Sequence, residues 1–302
     1  MGLVSVYAMD AKFFTRADGT RIDYFDSHTG DGLLIYHHGT PAAGPLDDFI
    51  VNAATANNLR VVELVRPGYG QSTRLKGRNV AVIADIALEL ADHLGHDKFV
   101  SMGWSGGGPH VLASVAHKSG RCVGGVCIAG VGPFGDPELD FLAGMGQDNI
   151  EEFGAALESE EALSTFMAAA YEGMRNIQGS EIIAAMASLL PEADRAVLTG
   201  EYAEHEAEIF RWAIGHGTDG WFDDDIAFTL DWGFDINDIK SPVSIWQGTE
   251  DLMVPLAHGK YLEAKVPNST AHLLDGHGHL SIGPVACEVG FKELAKALWP
   301  DR

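Results

Sequence analysis

Cysteine, positive charge and long apolar runs are all scarce in this chain of 302 residues. Its three cysteines, Cys122, Cys127 and Cys287, are an odd number without metal-ligand spacing, which argues against a disulfide framework. We expect Cys122 and Cys127 to be buried thiols, because they lie in an apolar stretch. No uninterrupted apolar segment is long enough to cross a bilayer, so no membrane span is predicted.

Basic residues are outnumbered by acidic ones, with 20 lysines and arginines against 43 aspartates and glutamates and a formal charge of −23 at pH 7. Such a surface repels nucleic acid and anionic membranes, so neither is an expected partner. The hydrophobic fraction of 46% is typical of a globular protein with a sizeable core. The first six residues lack the basic flank and apolar stretch of a secretory leader, so the expected location is the cytoplasm. The sequence carries no signal for an oligomeric state.

Strand and helix patterns alternate at both ends of the chain, as a parallel sheet flanked by helices requires. Short apolar runs predict strands at 20–28, 32–36, 60–65, 98–102, 122–129, 241–246 and 270–274. Amphipathic spacing predicts helices at 49–58, 79–94, 109–117, 257–265 and 285–298. Only helical patterns occur between these two parts, at 151–157, 162–176, 181–190 and 199–214. We predict one α/β core domain, residues 1–132 and 232–302, with a helical segment inserted at 133–231.

Ser105 is the predicted nucleophile. It lies in the Gly-x-Ser-x-Gly sequence at 103–107, which follows a predicted strand and begins a predicted helix. A sharp strand-to-helix turn needs small residues on both sides of a nucleophile held in a strained backbone conformation. The helix N-terminus behind Ser105 presents free N–H groups to developing negative charge. This context favours a catalytic serine over an incidental one in a glycine-rich turn.

A serine hydroxyl needs a base to take its proton and an acid to orient that base. His279 lies on a glycine-flanked loop after the last predicted strand and is the predicted base, with His277 as its neighbouring competitor. Asp251 follows the strand at 241–246 and completes the chain order serine, acid, histidine, so it is the predicted acid. Glu250 is the alternative acid, and Asp136 is a weaker one.

Two backbone amides are needed to bind the oxyanion of a tetrahedral intermediate. One is predicted to be the N–H of Gly106, directly after the nucleophile. The other is predicted to be the N–H of Thr40, in the His-Gly-Thr-Pro loop that follows the strand at 32–36. The alternative for this loop is a plain turn, which its position after a buried strand makes less attractive.

These segments together resemble the α/β-hydrolase superfamily over nearly the whole chain. The His-Gly-x-Pro loop (38–41), the Arg-Pro-Gly-Tyr-Gly-x-Ser turn (66–72), the Gly-x-Ser-x-Gly turn and the segments around Asp251 and His279 occur in family order. The resemblance implies an α/β-hydrolase fold, with a mostly parallel central sheet flanked by helices and residues 133–231 as a helical cap. The Gly-Trp-Ser-Gly-Gly-Gly-Pro-His sequence is similar to bacterial esterases and proline iminopeptidase-like proteins.

Other branches of the family are also relevant. Haloalkane dehalogenases and epoxide hydrolases have an aspartate at the nucleophile position, so the serine at 105 argues against both. Cofactor-free oxygenases and haloperoxidase-like members retain a serine triad and stay open. Glycine spacing does not fit a dinucleotide site, and we expect no cofactor.

The segment at 133–231 is rich in acidic, methionine and phenylalanine residues. A metal site of Glu204, His205 and Glu208 is imaginable, but His205 points away from the other two on a helix, so no metal is predicted. The acidic stretches at 201–208 and 223–225 are more simply a solvated face, although they also suit a substrate amine. Six side chains suit either an apolar acyl pocket or core packing: Met145, Phe153, Phe166, Met167, Met174 and Met186.

The predicted function is serine hydrolysis of a small-molecule ester. The first alternative is a proline iminopeptidase-like aminopeptidase, which the acidic segment accommodates. The second is a ligand-binding protein of the same fold that turns over slowly.

Overall fold

A mostly parallel, eight-stranded sheet runs through residues 9–301, the part of the chain that the structure, a computed structural model, describes. The strands are β1 Lys12–Thr15, β2 Arg21–Asp26, β3 Gly32–His37, β4 Leu59–Leu64, β5 Phe99–Trp104, β6 Cys122–Ile128, β7 Val243–Gly248 and β8 Ser269–Leu274. Their order across the sheet is β1-β2-β4-β3-β5-β6-β7-β8. The β1–β2 and β2–β4 pairs are antiparallel and the others are parallel. The prediction of a mostly parallel central sheet is confirmed.

Helices cover both faces of this sheet. They are α1 Asp48–Ala56, α2 Ala81–His93, α3 Gly108–Ala116, α4 Gln147–Glu158, α5 Glu160–Met174, α6 Gly179–Ala185, α7 Glu192–Val197, α8 Gly200–Ile214, α9 Asp219–Thr229, α10 Leu256–Lys265 and α11 Gly283–Leu298. Helices α1 and α11 pack with one face of the sheet, and α2, α3 and α10 pack with the other. Helices α4–α9 all lie between β6 and β7 along the chain, and we call residues 133–231 the insertion.

Three elements were not predicted. Strand β1 has only four residues at the edge of the sheet, too few for a readable alternation. Helix α7 has six residues, which is shorter than the amphipathic patterns that identify a helix. Helix α9 is buried on most sides, including three consecutive aspartates, so it has no apolar stripe to read.

Cysteines and long apolar segments, both scarce in the sequence, have the following places in the structure. All three cysteines are buried and unpaired, which confirms the prediction for Cys122 and Cys127. Within residues 9–301, no helix combines the length and the apolar character needed to cross a bilayer. The prediction about a leader concerns the first six residues, which lie outside the described part of the chain.

Candidate active site

Ser105 lies at the sharp turn that joins β5 to α3. Its φ of +55° places it in the left-handed region, which a non-glycine residue adopts at a cost of about 1 kcal/mol. A Cβ atom at Gly103 would lie 2.3 Å from the Gly107 carbonyl oxygen, and one at Gly107 would lie 2.0 Å from that of His37. Both neighbours must therefore be glycine for the turn to close, which explains the Gly-x-Ser-x-Gly spacing.

An imidazole–carboxylate pair lies beyond the ends of β7 and β8. His279 Nδ1 is 2.8 Å from Asp251 Oδ2, and both side chains are buried. The same oxygen accepts a hydrogen bond from Gln247 Nε2 at 2.9 Å. Asp251 Oδ1 accepts from the amides of Met253 at 2.8 Å and Val254 at 2.9 Å. Four donors thus fix the carboxylate, which fixes the imidazole with its proton on Nδ1 and leaves Nε2 available.

The electrostatic surroundings of His279 act in opposite directions. Burial lowers the pKa of the imidazole because it disfavours the charged form. The charge and hydrogen bond of Asp251 raise the pKa, and the carboxylates of Asp194 and Glu206 add to this effect. The attraction outweighs burial, so the pKa of His279 lies above that of an ordinary histidine.

The alternatives from the sequence lie elsewhere. Glu250 is exposed. Asp136 accepts a hydrogen bond from the Tyr261 hydroxyl at 2.7 Å. His277 Nδ1 lies 3.2 Å from the carbonyl oxygen of Ser281. All three therefore lie outside the imidazole–carboxylate pair.

The loop after β3 packs against the nucleophile turn. A Cβ atom at Gly106 would lie 2.3 Å from Thr40 Oγ1, so the two residues are in close contact. Arg66 holds the loop from behind, donating to the carbonyl of His38 at 2.5 Å and to that of Gly39 at 2.9 Å. The two residues predicted to supply oxyanion donors, Thr40 and Gly106, are therefore neighbours.

Asp224, on α9 of the insertion, is the centre of a buried network behind this loop. Its carboxylate accepts from Arg66 at 2.6 Å, Arg78 at 2.5 Å, Tyr69 at 2.8 Å and Thr40 Oγ1 at 2.7 Å. Burial alone would raise the pKa of Asp224, but the two guanidinium groups outweigh it and hold the pKa below its ordinary range. One carboxylate of the insertion thus ties α9 to the loop that carries Thr40.

The interpretation of the acidic stretches as a solvated face is wrong for four of their seven acidic residues. Buried carboxylates belong to Glu206, Asp223, Asp224 and Asp225, which are 8%, 3%, 0% and 0% exposed. Asp223 pairs with Arg74 at 2.8 Å, and Asp224 has the two arginines described above. The partners lie about 150 residues away along the chain, so the stretch itself contains no sign of them.

The imagined metal ligands do not converge. Glu204 accepts from the Gly179 amide at 2.9 Å and from Arg211 at 3.0 Å, while His205 is buried 3.3 Å from Asp47. Across the described residues, no group of three or more histidine, cysteine or acidic side chains is arranged to hold a metal ion.

A cavity of about 610 Å³ lies between the insertion and the core, and Ser105 and His279 both line it. Of the six methionine and phenylalanine side chains discussed above, three line the cavity: Phe166, Met174 and Met186. The other three are buried in the core: Met145, Phe153 and Met167. An apolar pocket and core packing are therefore both realised, by different members of the set.

Carboxylates form the charged part of this cavity. The acidic residues that line it are Asp47, Asp148, Glu151, Glu152 and Glu206, and no lysine or arginine is among its described lining residues. Burial raises the pKa of Glu206 to about 7, despite the nearby Tyr202 hydroxyl and His279. Burial also raises the pKa of Asp47, and the charge of Glu206 adds to that effect. The cavity is therefore apolar with an acidic wall, in which burial favours the neutral form of Asp47 and Glu206.

Four side chains around this site were missed from the sequence: Asp47, Arg66, Asp194 and Asp224. Only Arg66 had a signal, because it begins the Arg-Pro-Gly-Tyr-Gly turn. Asp47 and Asp194 stand in an acidic chain without any local pattern that sets them apart, and Asp224 lies in the acidic stretch at 223–225 that was interpreted as a solvated face.

Comparison with known proteins agrees with the fold. The sequence profile described as alpha/beta hydrolase fold matches residues 32–283. Haloalkane dehalogenase 2 of Mycobacterium tuberculosis is 32% identical over 121 residues, which is 39% of this chain and 41% of that relative. The chain thus aligns with less than half of that relative's length.

Two further similarities extend along almost the whole chain. Non-heme chloroperoxidase of Streptomyces lividans is 28% identical over 89% of this chain and 94% of its own. The crystal structure of bromoperoxidase from Bacillus anthracis superimposes with a TM-score of 0.69 at 22% identity, covering 97% of this chain and 100% of that one. The chain belongs to the α/β-hydrolase fold family.

Proposed function

We propose that the protein is a serine hydrolase that cleaves a small-molecule ester through an acyl-enzyme intermediate. Ser105 Oγ attacks the carbonyl carbon while His279 Nε2 takes the hydroxyl proton. The alcohol leaves with that proton, and water, deprotonated by His279, attacks the acyl-enzyme to release the acid. Asp251 holds the imidazole in the required tautomer throughout.

The oxyanion of each tetrahedral intermediate is assigned to the amides of Thr40 and Gly106. Their contact, and the buried support of the Thr40 loop by Arg66 and Asp224, favour two donors held rigidly in place. Preorganised donors of this kind contribute about 3–4 kcal/mol each to the stabilisation of a transition state.

The observation that carries the proposal is the 2.8 Å bond between His279 and Asp251 at a cavity shared with a strained Ser105. The similarity to a haloalkane dehalogenase does not extend to its chemistry under this proposal. Displacement of a halide by a serine oxygen would leave an ether, which water does not cleave, whereas an acyl-serine ester is readily hydrolysed.

The insertion is assigned the role of a cap over the site. Its side chains supply much of the cavity wall, including those of Phe166, Met174 and Met186. A volume of about 610 Å³ suits a small molecule with an apolar acyl group.

The test combines a covalent probe with a set of substrates. A fluorophosphonate should add one equivalent to the protein, at the peptide that contains Ser105. Hydrolysis of p-nitrophenyl acetate, butyrate and octanoate, measured beside prolyl-p-nitroanilide, gives the bond type and the acyl length. Labelling at another residue, or cleavage of neither substrate class, would contradict the proposal.

The pH dependence of the reaction should follow His279. Because only the neutral imidazole accepts a proton and its pKa is raised, kcat/KM should increase with pH through an apparent pKa above about 6.5. Since Glu206 titrates near the same range, Glu206→Gln is the control, and it should keep an acid limb at slightly lower pH. Loss of the acid limb in Glu206→Gln would assign that limb to the titration of Glu206 instead of His279.

A second candidate is an aminopeptidase, which the acidic wall of the cavity favours. Glu206 is 8% exposed and lines the cavity with Asp47, and neither has a lysine or arginine within ion-pair distance among the described residues. An ammonium group of a substrate would stabilise both carboxylates, whereas an anionic substrate would be repelled.

Substrate charge provides a direct measurement of this effect. We expect a p-nitrophenyl ester whose acyl chain ends in trimethylammonium to lose roughly tenfold in kcat/KM in Glu206→Gln, relative to its neutral tert-butyl isostere. The assay belongs at about pH 8, where Glu206 is mostly ionised. Glu208→Gln removes the same charge from α8 outside the cavity lining. This variant should leave unchanged the ratio of kcat/KM for the charged ester to kcat/KM for the neutral isostere. An equal ratio in all three proteins would argue against recognition of a cation.

A further inference from the structure

The Asp194 carboxylate is buried against the loop that carries His279. Asp194 lies on α7 of the insertion and is 0% exposed. Its Oδ2 accepts a hydrogen bond from the His279 amide at 2.7 Å. Its Oδ1 accepts from the amides of Leu280 at 3.0 Å and Ser281 at 2.8 Å. Three consecutive amides of the loop therefore converge on one carboxylate, in place of water.

Gly278 is the residue that allows this approach. A Cβ atom at this position would lie 2.5 Å from each of three Asp194 atoms, Cγ, Oδ1 and Oδ2. These are the three nearest atoms, so the space that the absent side chain leaves is filled by the carboxylate. The glycine of the Gly-His pair is thus explained by a contact with the insertion.

We propose that Asp194 is a positioning residue that holds the backbone of His279, so that the insertion sets the place of the imidazole. This inference rests on the proposed role of His279 as the base. Asp251 fixes the rotation of the ring through Nδ1, while Asp194 fixes the peptide from which the ring projects. Together they leave the imidazole little freedom to move away from Ser105.

Asp194→Asn is the main variant, because it keeps the shape of the side chain. The side-chain oxygen of the asparagine can keep the hydrogen bonds from the Leu280 and Ser281 amides. The new NH₂ group then faces the His279 N–H, so two donors meet and that hydrogen bond is lost. We expect kcat for p-nitrophenyl butyrate to fall roughly 10- to 100-fold with little change in KM, since about 1 Å of misplacement has effects of this size. Glu192→Gln, an exposed carboxylate on the same helix, is the matched control and should keep wild-type values.

The Nδ1 proton of His279 gives a readout that does not depend on turnover. Its NMR resonance, assigned with a His279→Gln variant, should shift or broaden in Asp194→Asn and stay unchanged in Glu192→Gln. A loss of kcat with an unchanged resonance would overturn the positioning role. If the wild type cleaves no ester and takes no phosphonate, the proposed function fails, but this resonance still decides the inference about Asp194.

A double-mutant cycle tests the contact itself. Gly278→Ala should lower kcat about tenfold because its methyl group displaces the carboxylate, with carboxylate chemistry intact. In an Asp194→Ala background, Gly278→Ala should cause no further loss of kcat. Additive losses would contradict the inference, and wild-type kcat in Gly278→Ala alone would contradict it even if neither Asp194 variant folds.

Discussion

Replacement of Ser105 by alanine is expected to lower kcat for ester hydrolysis roughly 10⁴- to 10⁶-fold, because no other group in the proposed mechanism forms the acyl bond. The fold should tolerate this change. Alanine meets the same strain at φ +55° as serine does, so the free energy of unfolding should change by less than about 1 kcal/mol. Burst kinetics with p-nitrophenyl butyrate and chemical denaturation measure the two quantities.

Two further variants sharpen this result. Ser105→Gly should be as inactive as Ser105→Ala but more stable by about 1 kcal/mol, because glycine adopts a positive φ without strain. Ser119→Ala changes an exposed serine and should keep full activity. Residual activity of Ser105→Ala within about tenfold of wild type would eliminate the acyl-enzyme mechanism at this residue.

Replacement of Asp224 by alanine should have the largest effect on stability. Arg66 and Arg78 are 0% and 1% exposed and share this carboxylate, so its removal leaves two buried positive charges without their main partner. Breaking such a pair typically lowers the free energy of unfolding by about 3–5 kcal/mol. Urea denaturation measures this free energy. The control Asp238→Asn removes an exposed charge just after the insertion, and its free energy of unfolding should differ from that of wild type by less than about 0.5 kcal/mol.

Activity separates the structural role of Asp224 from its effect on the oxyanion loop. Below the unfolding transition, Asp224→Asn should show lower kcat, because Thr40 Oγ1 and Arg66 lose their shared acceptor beside the proposed oxyanion donors. A variant that unfolds at lower urea yet keeps wild-type kcat would restrict Asp224 to stability.

Parts of the fold and site with local causes were predictable. The apolar runs of β3 to β8 predict their strands, and the steric needs of the turn around Ser105 require glycine at fixed positions in the sequence. Asp251 and His279 follow strands whose carboxyl ends share one edge of the sheet, so topology alone places their loops near each other. Their roles stay predictions until the variants are measured.

Features that depend on distant residues were not predictable. The aspartates of α9 resemble a solvated run because Arg66, Arg74 and Arg78 are remote in sequence. Asp194 likewise has no local sign of the three amides that it binds 85 to 87 residues later. A charged residue predicts an exposed position unless distant partners allow its burial, and tertiary structure brings those partners together.

The reactivity of the buried cysteines measures how often the protein unfolds locally. Burial raises the pKa of Cys122 and Cys127 to about 12, so at neutral pH roughly one thiol in 10⁵ is the reactive thiolate. Both lie on β6, in the middle of the sheet, beneath helices on either face. An alkylating reagent therefore reaches them when the sheet separates, and the rate of alkylation counts excursions from the native state.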